Sequence, residues 1–183
     1  MRVSGRARVR MAATLWVLAL TMVIAGCGGG NAAPSAAAAL VGNPAPALTG
    51  PSLTGDGSLD LASMSGKPTV VVFWLNTCPH CQAFVPELQR AWPAVADKAN
   101  ILFAGMAHPD STVKTPAGYE TPEAFVATTG LTLPTLRTDW DTATAAWKFD
   151  TVPAVYVLDA GGVVRKVMVA PEAKDVLAAV TSL

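Results

Sequence analysis

"GKPTVVVFWLNTCPHCQAFVPEL", residues Gly66 to Leu88, runs a turn, an apolar segment, two cysteines and a helical pattern together without a break. Within it, Thr69 to Leu75 is an unbroken apolar run of β-branched, aromatic and aliphatic residues. Such a run has no polar face to offer water, so it reads as a strand covered on both sides. Gly-Lys-Pro just before it marks a turn. After it, "CQAFVPELQRAW" (Cys81 to Trp92) sets apolar residues at helical spacing, and Pro86 is expected to kink that helix without ending it. Cys78 and Cys81 therefore lie where a buried strand hands over to a helix.

Working outward, strand and helix signals alternate. "SLDLASMSGKP" (Ser58 to Pro68) alternates apolar positions like a short edge strand or hairpin before a loop. "ILFAGMA" (Ile101 to Ala107) reads as a second buried strand. In "TPEAFVATTG", Thr121 is the expected N-cap, Pro122 opens the helix and Gly130 stops it. "DTATAAWKF" (Asp141 to Phe149) reads as a weaker helix, with Trp140 and Trp147 as packing residues. "PAVYVLDAGGVVRKVMVA" (Pro153 to Ala170) is two strands around an Asp-Ala-Gly-Gly turn, and "PEAKDVLAAVTSL" closes the chain as a helix. Strands alternating with helices imply parallel pairing, and the late hairpin adds an antiparallel edge. The expectation is an α/β fold, a mixed sheet with helices on both faces.

The N-terminus has a different character. Arg2, Arg6, Arg8 and Arg10 crowd the first ten residues, and "MAATLWVLALTMVIA" (Met11 to Ala25) comes next with no charge. That is short for a membrane span of about 20 residues and suits the core of a signal peptide. It ends in Ile24-Ala25-Gly26-Cys27, which resembles the bacterial lipoprotein box, whose cysteine takes the lipid. Residues 1–26 are then the signal peptide. The alternatives are a plain secretory signal with an incidental cysteine, or a retained anchor. Residues 27–43 are nearly all small residues, Pro and Asn, and read as a flexible tether, with the folded domain spanning 44–183.

Composition supports one domain, and nothing in it suggests a nucleic-acid surface. Of 183 residues 51% are hydrophobic and only 14% charged, enough for a sizeable core. Without the four N-terminal arginines, nine basic residues face thirteen acidic ones, and Lys and Arg never form a stripe. Three cysteines leave an odd one. If Cys27 carries lipid, Cys78 and Cys81 remain as a closed pair in a compartment where disulfides persist.

A thiolate at Cys78 would meet the unpaired N–H groups and positive dipole of a helix start, with His80 adjacent. Such surroundings lower a cysteine pKa from about 8.5 into the range of roughly 3.5 to 7.5. Pro79 fits the first helical position. Cys81, one turn along and more buried, is placed to resolve a mixed disulfide formed at Cys78. A metal site would need four ligands. Only His80 and His108, the latter in "AHPDS", stand beside the pair, so no metal is expected. A structural disulfide over so small a loop would stabilise little. Redox exchange, with the Cys78–Cys81 pair in place of any cofactor, is the reading the residues favour.

From Val41 to the C-terminus the chain resembles the TlpA/redoxin-type branch of the thioredoxin superfamily, DsbE-like exported and membrane-tethered thiol–disulfide oxidoreductases. The residues that carry this are "MSGKP", Phe73-Trp74, the Cys-Pro-His-Cys segment and "TVPAVYVLDAGG". The resemblance implies a thioredoxin-like fold with an extra strand–helix insertion between its halves. It makes Pro153 the family's cis-proline, facing the cysteines, with the backbone of Val152 pairing with a substrate chain. It also implies, as partners, exported cysteine-containing proteins and a membrane redox partner.

There are departures. Thr77 replaces the usual Trp. Val72 stands where thioredoxin has a buried acid, and Phe84 where the cytochrome-maturation reductases usually carry a Glu. Glu87, in another register, reads as a solvated helix residue. Pro-His between the cysteines is the pairing of the oxidising DsbA-type enzymes. The peroxiredoxin pattern Pro-x-x-x-Thr/Ser-x-x-Cys is missing, with Val71 and Leu75 at those positions. The expected function is extracytoplasmic disulfide exchange, favoured as an oxidant. The alternatives are a reductase in cytochrome c maturation, or a non-catalytic lipoprotein that binds a metal or a partner.

Overall fold

The computed structural model describes residues 35–183. The expected signal peptide and lipidation site, Cys27, lie outside them. The elements run α1 (Ser35–Ala38), β1 (Thr49–Pro51), β2 (Ser58–Asp60), β3 (Thr69–Leu75), α2 (Pro79–Ala91), β4 (Asn100–Met106), α3 (Pro122–Thr129), β5 (Thr135–Arg137), α4 (Trp140–Trp147), β6 (Ala154–Leu158), β7 (Val164–Val169) and α5 (Ala173–Thr181).

The main sheet has the order β5-β4-β3-β6-β7, and β1 and β2 form a separate small hairpin. β3 pairs in parallel with β4, and β4 with β5. β6 runs antiparallel to β3 and to β7. This is a mixed α/β sheet of thioredoxin type, with β3 at its centre and all seven of its residues buried. The alternation of a strand explains how both faces are covered. Phe73 packs on Trp147 of α4, ring centroids 5.1 Å apart, and Trp74 packs on Phe125 of α3 at 4.2 Å. α3 and α4 therefore lie on opposite faces, and α2 packs against α5.

Two glycines permit close approaches here. A Cβ on Gly105, the β4 partner of Trp74, would lie 2.6 Å from the indole. A Cβ on Gly50 of β1 would collide with the Arg137 carbonyl of β5.

The helix termini obey local rules. Thr121 caps α3 by accepting from the Ala124 N–H, and Gly130 ends it with left-handed φ of 63°. Asp139 caps α4 through the Thr142 N–H. Glu172 and Asp175 form a reciprocal capping box on α5. Pro86 lies inside α2, which continues to Ala91.

β5, in "LPTLR", carries no strand signal of its own, yet with α3 it forms the expected insertion between β4 and α4 in the chain. One element differs from the sequence expectation. The difference is in the expected tether of 27–43, whose later half lies on the domain. Ala37 is fully buried, the Gly42 N–H donates to Val164 O at 2.8 Å, and the Val164 N–H donates to Asn43 O at 3.0 Å. Backbone pairing to the edge strand β7 needs no apolar periodicity, which is why small residues there give no signal.

Candidate active site

β3 delivers the reactive pair. One turn after Leu75, whose carbonyl accepts from the Cys78 N–H at 3.2 Å, Cys78 takes extended backbone geometry as the N-cap of α2. Its sulfur accepts the Cys81 N–H at 3.4 Å, the role a Ser or Asp side chain usually plays at that position. Pro79 fills the first helical position and is exposed, as is His80, whereas Cys81 is fully buried. Both thiols are free.

The two thiols are set to opposite acidities. Cys78 is lowered to about 6, chiefly because the Cys81 thiol donates a hydrogen bond to it. Partial burial opposes this, and the backbone N–H groups of Cys81 and His80 add to the lowering. The charge of His80 is the last and smallest contributor, so the histidine matters less than its position suggests. Burial pushes Cys81 strongly up, and the hydrogen bond it gives to Cys78 raises it further. Near neutral pH the pair is one thiolate beside one thiol, with the thiolate at the partly exposed sulfur.

Across from the pair, the Val152–Pro153 peptide is cis and Pro153 is buried. The Val152 carbonyl lies 3.6 Å from the Cys78 sulfur. The geometry thus brings Cys78, Cys81, Val152 and Pro153 to one point. A groove of about 430 Å³ opens beside Cys78, walled by Thr77, His108, Val113, Trp140 and Val152 among others.

The family model described as "AhpC/TSA family" matches residues 41–167, which include every element from β1 to β6 and most of β7. The chain belongs to the AhpC/TSA family. No curated protein matches it. Solved structures with the same fold include a DsbF homologue from Corynebacterium diphtheriae, with 23% identity over 77% of this chain and 87% of that one and a TM-score of 0.62. A secreted Mycobacterium tuberculosis disulfide oxidoreductase homologous to Escherichia coli DsbE has 23% identity over 74% of this chain and 96% of that one, at 0.57. The thioredoxin domain of a Bacteroides vulgatus thiol–disulfide oxidoreductase has 20% identity over 78% and 96%, at 0.63. These neighbours are alike in fold, and this AhpC/TSA member is a thioredoxin-like oxidoreductase.

Within this family a peroxidase site would place Pro and Thr/Ser ahead of the cysteine. Here Val71 and Leu75 are buried strand residues and offer no hydroxyl donor. Val72 and Phe84 are likewise buried and apolar, so neither supplies a carboxylate near Cys81. Among the described residues, no three His, Cys, Asp or Glu side chains gather where an ion could bind.

The groove has no counterpart in the sequence pattern. Trp140 has the spacing of a packing residue and does lie edge-on to Phe149 at 5.7 Å, but it also walls the groove. An aromatic thus stands at the rim that Thr77 leaves without one. His108 and Val113 come from the segment between β4 and α3, whose place only the tertiary fold reveals. One signal exists: Val113 is a large apolar side chain in a polar loop, and it is 40% exposed.

Proposed function

We propose that this protein exchanges disulfides with cysteines of exported proteins, acting by preference as the oxidant. The observation that carries the proposal is the Cys78 sulfur beside the buried Cys81 thiol at the N-cap of α2, accepting the Cys81 N–H at 3.4 Å, surroundings that lower Cys78 to about 6. Whatever favours the Cys78 thiolate favours the reduced enzyme, so the oxidised enzyme gives up its disulfide readily.

Two exchange steps complete the reaction. A substrate thiolate attacks the Cys78 sulfur of the Cys78–Cys81 disulfide, forming a mixed disulfide and releasing Cys81, which takes up a proton. A second substrate thiolate then attacks the substrate sulfur, closing the substrate disulfide and releasing Cys78 as a thiolate. Two electrons have passed to the enzyme, and a membrane redox partner takes them on. The Val152 carbonyl beside Cys78 supports pairing of that backbone with a substrate chain. Cys27, lipidated, would hold the domain at the extracytoplasmic face of the membrane.

A Cys81→Ser variant tests the reading. Its Cys78 thiolate should attack disulfides of oxidised exported proteins, releasing one substrate thiolate. The mixed disulfides should accumulate because no Cys81 thiol is there to release them. Absence of such adducts would leave a non-catalytic binding role instead. For the anchor, Cys27→Ala should move the protein off the membrane fraction. Complete retention there would contradict lipidation.

A further inference from the structure

We propose that Asn76 is a positioning residue that closes the segment 107–118 into a fixed loop, and thereby sets which molecules can approach Cys78. Asn76 sits one residue beyond β3 and two before Cys78, and it is only 1% exposed. Its backbone N–H donates to Met106 O at 3.4 Å, where the segment leaves β4. Its side-chain Nδ2 donates to Tyr119 O at 2.6 Å, where the segment returns. A single residue therefore holds both ends. Its own carbonyl accepts from Gln82 Nε2 at 2.8 Å, which ties the same point to the first turn of α2.

The loop so closed is anchored at its base and free at its tip. At the base, Gly118 has φ of 88° and its carbonyl accepts from Thr128 Oγ1 at 2.8 Å, while its N–H donates to the Glu120 carboxylate. The Tyr119 ring packs edge-on against Phe125 at 5.5 Å. The tip is a self-bonded turn: the Asp110 N–H donates to His108 Nδ1, the Thr112 N–H to Asp110 Oδ1, and the Val113 N–H to Asp110 O. That turn presents His108, Pro109 and Val113 to the groove beside Cys78.

The side chain of Asn76 is not there for stability alone. Its Oδ1 is buried without a partner, a cost that an apolar residue would avoid. Rotating the amide would turn oxygen toward the Tyr119 carbonyl, so only the observed orientation makes a bond. An amide at this point is explained by what its donor holds.

The inference deepens the exchange reading and takes its meaning from it, but its test needs no disulfide substrate. In the reduced full-length chain, the rate of Cys78 alkylation is measured by peptide mass spectrometry with iodoacetamide and with fluorescein maleimide. Asn76→Ala should raise the ratio of bulky to small reagent about fivefold, as loss of one buried hydrogen bond allows. The pH midpoint of alkylation should stay near 6. Thr128→Val, which loosens the loop from α3 without touching the cysteine turn, should raise the ratio in the same sense, about twofold. An unchanged ratio in both variants overturns the proposal. So does a raised midpoint with both reagents slowed equally, since Asn76 would then serve the cysteine turn itself. Should Asn76→Ala fail to fold, Asn76→Ser, too short to reach the Tyr119 carbonyl, takes its place with the same outcomes. Failure of the exchange reading would appear separately, as missing adducts in the Cys81→Ser trap.

Discussion

The two ends of the central strands carry cavities of the same size and similar apolarity but different chemistry. Where β3 ends and β6 begins, the groove of about 430 Å³ is walled by Cys78, Trp140, His108 and Val152. Where β3 begins and β6 ends, a second cavity of about 430 Å³ is walled by Pro44, Leu61, Met64, Thr69 and Leu158. Seven strand residues, roughly 20 Å at the rise of a strand, separate them. Size and apolarity do not tell the two apart. What does is a thiol lowered to about 6 at a helix N-terminus, which only the first end possesses. The same strand supplies both walls, and the difference lies in the segments attached to it: a helix capped by sulfur at one end, a proline-bearing connection at the other.

Removing the sulfur should leave the two ends chemically alike. Cys78→Ala is expected to lower disulfide exchange with a peptide dithiol by at least about a thousandfold, the scale of losing a covalent nucleophile. Met64→Ser at the far cavity should leave the rate within about twofold, since its side chain lines the cavity at the opposite end of β3. A large loss from Met64→Ser in a folded protein would contradict the assignment of function to one end.

The next largest effect concerns the partner thiol. Cys81→Ala removes the leading cause of the lowered Cys78 value, so the alkylation midpoint should rise clearly above 6. His80→Ala should raise it too, but by less, because the histidine charge is the last of the causes. A larger shift from His80→Ala than from Cys81→Ala would reverse that order.

The sign of the stability effect comes from the same group. Cys78 ionises at about 6 in the folded dithiol against 9.0 when unperturbed, so its contribution is full above pH 9 and lost as pH falls through 6. Cys81 is shifted the other way and stays protonated through that window. Thermal unfolding should therefore show the reduced form gaining on the oxidised form between pH 6 and 9. A constant difference would argue against the thiolate.

Much of this is legible in the sequence, and the reasons differ by element. β3 can be read because seven consecutive apolar residues admit no exposed face. The cysteine pair can be read because its chemistry comes from spacing and from the handover of strand to helix. β5 cannot: its three residues are held by pairing with β4 and by the Leu53 N–H donating to Thr135 O, contacts with no local pattern. The residues that wall the groove are hidden for a related reason. Trp140 has the spacing of a packing residue and does pack, and only the closure of the 107–118 loop puts His108 and Val113 opposite it. Asn76 looks like any polar residue before a turn. Its two bonds to the ends of one loop are a property of the fold.

The reduction potential of the Cys78–Cys81 pair as a function of pH reads the stabilised Cys78 thiolate itself. A stabilised Cys78 thiolate predicts a potential at pH 7 well above the roughly −270 mV of thioredoxin, toward the roughly −120 mV of DsbA. Its slope should change from about 59 mV per pH unit below pH 6 to about 30 above it, as one of two protons is no longer taken up. A potential at or below that of thioredoxin, with a slope constant through pH 6, would contradict the account.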